Sequence, residues 1–205
     1  MVAVIDYDAG NVKSVVKALR ALGEETILTR DPEVILKADH VVLPGVGNFG
    51  DAIGKLRAFG LEDVVREVQK SGTPFLGICV GLQLFYEGSA ESPEATGLGF
   101  FEGSCRKFDT KPGYKVPQIG WNSLHLMNGG RLFEGIEDGA FVYFVHSFYV
   151  PATDDMHVKA TASYSNLAVA SVERGNTFAC QFHPEKSGQV GLKILKNFLS
   201  IKKEA

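Results

Sequence analysis

Short apolar runs alternate with helical patterns from the N-terminus to residue 79, and this alternation constrains the fold more than any other feature. Residues 2–5 form a β-rich run, and apolar residues at helical spacing follow over 12–22. Further apolar runs lie at 26–29, 40–43 and 74–79, with helical patterns between them. Apolar strands that alternate with helices form parallel sheets covered on both faces. We therefore predict an α/β fold with a mostly parallel central sheet flanked by helices.

The pattern changes after Gly97, where short turns join one strand-like run to the next. A closing helix is predicted over 187–201, and the chain shows neither a linker nor a repeat. We expect mainly antiparallel strands in this C-terminal half, within a single domain over 1–205. The strand-like runs span 98–108, 118–126, 141–150, 158–164, 167–172 and 177–182.

Composition and charge exclude several classes of protein. Three cysteines, an odd number, argue against a disulfide framework and favour a reducing compartment. Cys105 and Cys180 lack a CxxC spacing, so we predict packing roles for both, with no metal and no cofactor. There is no signal-peptide pattern and no run of eighteen apolar residues, which predicts a cytoplasmic protein with no membrane contact. The net charge of −3 opposes a nucleic-acid role.

The segment 75–81, with the sequence FLGICVG, has the pattern of a nucleophile on a sharp turn. Cys79 ends an apolar run and has a glycine two residues away on either side. In a strand-to-helix turn of the G-x-S-x-G kind, side chains at the flanking positions would collide, so glycine occupies them. Amides of the following helix, beginning with Val80 N–H, then favour the thiolate. On this pentapeptide alone, a buried structural cysteine is the alternative.

A base for this cysteine is predicted about one hundred residues later, in the segment 178–185 with the sequence FACQFHPE. A strand-like run leads to His183, a proline ends it, and Glu185 follows. A cysteine nucleophile needs a base, and the base needs a third group that fixes its tautomer. Cys79, His183 and Glu185 meet these requirements, although a lone His-Pro-Glu is usually an ordinary turn.

These motifs together resemble the class I (triad) glutamine amidotransferases, which hydrolyse glutamine and pass the ammonia to a synthase partner. Further segments are similar to the glutaminase subunits of imidazole glycerol phosphate synthases, from histidine biosynthesis, and the resemblance covers essentially the whole chain. It implies a flavodoxin-like fold, L-glutamine as substrate and a heterodimer with a (β/α)₈ cyclase subunit that makes imidazole glycerol phosphate and AICAR. These segments are DYDAGN at 6–11, LPGVGNFG at 43–50, QIGWN at 118–122, YFVHS at 143–147 and HPEKS at 183–187.

An oxyanion formed at the substrate needs backbone amides aimed at it. Val80 N–H is one candidate, and the loop containing Val46 and Gly47 is expected to supply another, because glycines flank its one bulky residue. Gln83 lies one helical turn beyond Cys79, where its amide can hold the substrate. The resemblance implies substrate contacts by Gly45, Gln83, Ser147 and Phe148.

The resemblance also implies an interface with the cyclase, and the interface residues implied are Asn11, Trp121, Tyr143 and Lys186.

His146 has no evident proton to move, and we predict a structural or substrate-shaping role for it. The chain departs from the family pattern at Asp8, where glycine is usual, and this departure affects the first loop rather than the predicted triad.

Two other functions are compatible with these motifs. The triad also suits a stand-alone cysteine hydrolase or peptidase, because one fold hosts many activities. A non-catalytic regulatory subunit that binds glutamine or a partner is the third hypothesis. The loop at Gly47, Gln83 and the Trp121 segment favour the amidotransferase.

Overall fold

The chain is organised around a large β-sheet, which a computed structural model describes together with the rest of residues 1–8, 10, 12–127 and 129–203. Asn11, predicted at the partner interface, lies outside the described residues. The strands are β1 (Val2–Ile5), β2 (Thr26–Thr29), β3 (His40–Gly45), β4 (Phe75–Cys79), β5 (Gly88–Ser89), β6 (Ser104–Lys107), β7 (Gln118–Ser123), β8 (His125–Leu126), β9 (Phe141–His146), β10 (Phe148–Tyr149), β11 (Val158–Ser163), β12 (Leu167–Arg174) and β13 (Thr177–Cys180).

Six α-helices lie in the described part of the chain, with 3₁₀ turns at Arg131–Phe133 and Pro184–Lys186. The predicted helix start near Pro32 has a physical basis, because the Asp31 side chain accepts a hydrogen bond from the backbone of Glu33. Asn48 caps the third helix through Asp51 N–H. The helices are α1 (Val12–Ala21), α2 (Pro32–Lys37), α3 (Phe49–Ala58), α4 (Glu62–Lys70), α5 (Val80–Leu84) and α6 (Gly188–Ser200).

Within the described residues the main sheet has eight strands in the order β2-β1-β3-β4-β13-β12-β11-β8. The pairs from β2 to β13 are parallel, and the pairs from β13 to β8 are antiparallel. The mostly parallel sheet and the antiparallel C-terminal strands are therefore confirmed. Strand β13, close to the C-terminus, pairs with β4 in the middle of the sheet, so the segments that carry His183 and Cys79 become neighbours.

Two predicted elements are wrong in extent. The helical pattern expected between the apolar runs at 40–43 and 74–79 is two helices, because Gly60 adopts a φ of +68° between them, where the chain turns. The strand predicted over 98–108 is confined to β6, since Gly99 and Gly103 both have positive φ values that interrupt an extended run. Smaller sheets of β10-β6-β5 and β7-β9 lie beside the main one.

Candidate active site

Cys79 stands at the junction of β4 and α5 with a φ of +56° and a ψ of −109°. A positive φ is uncommon for a residue with a side chain and marks a strained turn. A Cβ on Gly81 would overlap the Leu43 carbonyl oxygen, and one on Gly77 would lie 2.8 Å from the carbonyl oxygen of Gly81. The two glycines therefore let strand and helix approach closely, as the sequence pattern predicts.

His183 and Glu185 form a buried pair beside this turn. The distance from His183 Nδ1 to Glu185 Oε1 is 2.7 Å, and both side chains are 2% exposed. A carboxylate only accepts, so Nδ1 carries the proton that it donates. His183 N–H donates to the Tyr143 carbonyl at 2.9 Å, and Ser187 Oγ donates to the His183 carbonyl at 2.6 Å. The backbone of the base is thereby held from both sides.

The pKa of His183 depends on the cysteine. Burial lowers this pKa, but hydrogen bonding and the charges of Cys79 and Glu185 outweigh burial and raise it to about 10. Nε2, the nitrogen that Glu185 leaves free, has no partner with hydrogen-bond geometry among the described residues. Cys79 therefore acts on this pKa through its charge rather than through a hydrogen bond to Nε2. The site thus favours the imidazolium form of His183.

A cavity of about 490 Å³ opens above these groups. This volume suits a small ligand, and seven of the predicted oxyanion, substrate and interface residues line it. Gly45 does not line it, contrary to the substrate contact predicted for that residue: it pairs with Cys79 in the sheet, with the Tyr7 hydroxyl packed against it. The lining residues are Val46, Gly47, Cys79, Val80, Gln83, Glu91, Pro117, Val145, His146, Ser147, Phe148, His183 and Lys186.

The loop between β3 and α3 forms one side of the cavity. Gly47 has a φ of +94°, and no atom of the described residues lies within 4 Å of the position that a Cβ would take. Beyond the loop, Phe49 N–H donates to Glu91 Oε2 at 2.8 Å, and Ser92 Oγ accepts from Gly50 N–H at 3.1 Å. The end of the loop is therefore anchored, whereas Gly47 itself has room to move.

Glu91 is a cavity residue that the sequence did not predict. It follows a two-residue strand, twelve positions after Cys79, in a polar stretch with no motif spacing. Its carboxylate faces the same cavity as Cys79, with the Phe49 amide as a hydrogen-bond partner. A carboxylate is suited to hold the ammonium group of an amino acid.

Two side chains hold the carbonyl oxygen of Phe148. Gln83 Nε2 donates to it at 3.0 Å and His146 Nδ1 at 2.8 Å. Burial lowers the pKa of His146 to about 4, so the ring is neutral near pH 7. The geometry agrees with the structural or substrate-shaping role predicted for His146, because it fixes the backbone at Ser147 and Phe148 that lines the cavity.

An apolar ribbon lies next to the cavity, formed by the antiparallel pair β7 and β9. Trp121 pairs with Tyr143, and Ile119, Trp121 and Phe141 are 63%, 55% and 58% exposed. Lys186 Nζ lies 6.0 Å from the centroid of the Tyr143 ring and also lines the cavity. The ribbon exposes more apolar surface than the predicted Trp121 and Tyr143 alone. Alternation along both strands is the signal that marks Ile119 and Phe141.

Other kinds of site find little support in the described ranges. No group of three or more His, Cys, Asp or Glu residues there is arranged to hold a metal ion. No described helix is both long and apolar enough to span a membrane. Cys105 and Cys180 are buried and form no disulfide in this part of the chain, which agrees with their predicted packing roles.

The sequence and the fold have known relatives. Residues 3–201 match the family described as "Glutamine amidotransferase class-I". The chain is 44% identical to "Imidazole glycerol phosphate synthase subunit HisH" of Thermosynechococcus vestitus, over 99% of this chain and 98% of that protein. It is 45% identical to the protein of the same name from Bacillus cereus, over 98% of this chain and 95% of that protein.

Solved structures extend the likeness to the fold. A crystal structure titled as a glutamine amidotransferase superposes with a TM-score of 0.74 at 21% identity and covers 97% of both chains. The structure of PurLQS from Thermotoga maritima gives a TM-score of 0.72 at 20% identity, over 97% of this chain and 96% of that one.

Proposed function

The chain belongs to the class-I glutamine amidotransferases, and from this premise we propose that it is the glutaminase subunit of an imidazole glycerol phosphate synthase. It hydrolyses L-glutamine to glutamate and ammonia and delivers the ammonia to a (β/α)₈ cyclase subunit in histidine biosynthesis. Full-length relatives at 44–45% identity bear this subunit's name. The meeting of Cys79 with the buried His183–Glu185 pair at one cavity is the observation that carries the activity.

The first half of the reaction forms a thioester. The Cys79 thiolate attacks the carboxamide carbon of glutamine, a C–S bond forms, and the carbonyl electrons move to oxygen. The C–N bond then breaks, and imidazolium His183 gives its proton to the departing ammonia. Glu185 keeps the ring oriented through the 2.7 Å hydrogen bond. In the second half, His183 takes a proton from water, which attacks the thioester and releases glutamate.

Backbone amides and polar groups around the cavity have separate tasks. Val80 N–H and an amide of the loop at Val46 and Gly47 stabilise the oxyanion, each worth about 3 kcal/mol by mutational precedent. Glu91 binds the α-ammonium group of glutamine by charge. The backbone at Ser147 and Phe148, held by Gln83, binds the other end of the amino acid.

The exposed ribbon supports a partner surface. Trp121 is the anchor, and Tyr143 and Lys186 link the ribbon to the cavity. Replacing Trp121 with alanine should weaken association with the cyclase by about 2 kcal/mol or more, measured by calorimetry. Leu167→Ala removes a side chain that is 54% exposed outside the ribbon and serves as the control. Equal affinities for both variants would contradict the interface.

The nucleophile is tested with Cys79→Ala. We expect glutamine-dependent synthesis to fall by at least about 10⁴-fold, while added ammonia still supports the cyclase. Cys105→Ala, a change at a buried cysteine away from the cavity, should keep both activities. A stand-alone hydrolase would instead turn over substrate at full rate without a cyclase, and a regulatory subunit would lose nothing on Cys79→Ala.

We propose further that the cyclase, with its own substrate bound, stimulates the glutaminase. The open space at Gly47 lets its peptide turn toward or away from the oxyanion, and absence of one donor slows acylation roughly 10²–10³-fold. Glutamate release is compared for the subunit alone, with empty cyclase, and with cyclase plus its phosphorylated ribonucleotide. Equal rates in all three would disprove this gating but leave the nucleophile untouched.

A further inference from the structure

A second glutamine, Gln181, contacts the sulfur of Cys79 and has no role in the predicted triad or substrate contacts. Its Nε2 lies 3.8 Å from Cys79 Sγ, and its Oε1 lies 3.1 Å from Gln83 Nε2. Gln83 Nε2 also donates to the Phe148 carbonyl at 3.0 Å. The side chain of Gln181 is fully buried, so water does not compete for these contacts.

The direction of the hydrogen bonds in this chain of amides follows from chemistry. The Phe148 carbonyl only accepts, so the Gln83 atom that faces it is the NH₂ group. An NH₂ group also faces Gln181, which therefore presents its oxygen to Gln83. The remaining end of the Gln181 amide, an N–H, then points at Cys79 Sγ. One backbone carbonyl thus sets the polarity of the whole chain.

We propose that Gln181 is a catalytic residue that donates an N–H to the Cys79 thiolate, an inference that rests on the proposed function. An N–H bonded to sulfur stabilises the charged form and holds the sulfur in place. His183 and Gln181 lie two residues apart directly after β13, and both side chains act on Cys79. One segment therefore supplies both the base and the thiolate donor.

The imidazolium of His183 also stabilises the thiolate, whereas the other side chains near the sulfur do not donate to it. The Tyr7 hydroxyl donates to the Pro44 carbonyl at 2.7 Å, and burial followed by the charge of Cys79 raises its pKa. His183 faces Cys79, with Glu185 behind it, and His146 and Glu91 line the same cavity. His146 donates to the Phe148 carbonyl instead, and Glu91 accepts a hydrogen bond from the Phe49 amide.

The test uses Gln181→Met in the full chain, because methionine is similar in size and has no N–H. Cys79 is alkylated with iodoacetamide from pH 5 to pH 10, and the site of labelling is read by peptide mass mapping. Burial raises the pKa of both Cys105 and Cys180 to about 12, so Cys79 is the thiol that reacts in this range. Ser171→Ala, at another fully buried position on the adjacent strand β12, is the matched control.

Loss of a thiolate donor has a distinctive signature. We expect the midpoint of alkylation to rise by about one pH unit in Gln181→Met, which means tenfold less thiolate below the midpoint. A more basic thiolate is also a better nucleophile, with a Brønsted slope of about 0.4–0.5. The variant should therefore react about threefold more slowly than wild type below the midpoint and about threefold faster at the plateau. Ser171→Ala should follow the wild-type curve.

A pH profile in Gln181→Met that overlies the wild-type profile would overturn the proposal, as would parallel slowing at every pH. If the variant does not fold, wild-type chain labelled with ¹⁵N-glutamine decides the question. One glutamine side-chain NH₂ signal should move across the alkylation midpoint and stay still in Cys79→Ala. Absence of any such signal would refute the donor. The proposed function has a separate test, because glutamine turnover is not measured in either experiment.

Discussion

The elbow at Cys79 and the loop at Gly47 both line the cavity, and both depend on glycine, for different reasons. At the elbow, a Cβ on Gly81 would meet the Leu43 backbone. In the loop, the same addition at Gly47 would meet no atom of the described residues, and only its φ of +94° favours glycine. Glycine allows close packing in the first region and an unusual backbone conformation in the second.

The difference separates a preorganised part of the site from an adjustable part. The elbow, His146 and the two glutamines form a wall in which hydrogen bonds already link Gln181 to Gln83, and both Gln83 and His146 Nδ1 to the Phe148 carbonyl. The loop carries one of the two proposed oxyanion amides and has room around Gly47. Preorganised dipoles lower the reorganisation needed during reaction, whereas an adjustable donor allows control. The following variants test whether the two regions differ in this way.

Gly81→Ala should have the largest effect. Its methyl group would overlap a backbone carbonyl that cannot swing aside, so we expect a loss of about 3 kcal/mol or more in the free energy of unfolding. Gly54→Ala, on the exposed face of α3 with open space around it, should gain up to about 1 kcal/mol. Urea denaturation measures both. A Gly81→Ala protein as stable as wild type would show that the elbow is not tightly packed.

Acid should weaken the wall through His146. Its pKa is about 4 in the folded chain and 6.5 in the unfolded chain. As the pH falls below 6.5 the unfolded state takes up the proton first, so protons favour unfolding. Between neutral pH and pH 5 the wild type should lose about 2 kcal/mol more than His146→Asn, which does not titrate. Parallel stability curves for the two proteins would show that His146 titrates normally and is not held neutral.

Gly47→Ala should cost less than Gly81→Ala, although both replace a glycine beside the cavity. The methyl group meets no neighbour in the described structure, so the penalty is the strained φ alone, about 1 kcal/mol. The same urea experiment compares the two. A loss of unfolding free energy as large as that of Gly81→Ala would show that the loop is packed as tightly as the elbow.

Asp8→Gly should have the smallest effect. Asp8 has a φ of +59° and pairs with Arg30 at 2.9 Å on the surface, while its carbonyl accepts from Lys55. Glycine relieves the backbone strain but removes an exposed ion pair, and these changes oppose each other. We expect an unchanged urea midpoint, with Arg30→Gln as the control for the ion pair. A large destabilisation would mean that the first loop, which reaches Val46 through Gly10, supports the adjustable loop.

The parallel half of the fold was predictable because its signals are local. Strands β1 and β2 have the predicted bounds, and α1 (Val12–Ala21) lies within the helical pattern predicted over 12–22. In the other half, the strand predicted over 141–150 is interrupted at Ser147, and the run at 98–108 is mostly loop. Those interruptions depend on tertiary contacts, such as the Arg66 bond to the Leu98 carbonyl, and local propensity does not encode them.

The residues of the site also differ in whether the sequence alone could predict them. Cys79 is predictable from flanking glycines that a sharp turn requires, and His183 with Glu185 from the order of chemical roles. Glu91 comes from a loop without a pattern, and only the folded chain brings it to the cavity. Gln181 had a usable signal, since it lies two residues before His183, directly after β13. The contact of Gln181 with sulfur depends on the pairing of β13 with β4, which no local pattern reveals.

The central position of β13 has a consequence for the order of events during synthesis. Strands β1 to β4 leave the ribosome long before residues 177–180, and until then β4 has an edge without its neighbour. A nascent or truncated chain at that stage contains the thiol of Cys79 but neither its imidazole nor the amide of Gln181. Pairing two strands so far apart in the chain is also slow compared with local folding. Reactivity of the cysteine is therefore postponed until translation is nearly complete and the last strand has entered the sheet.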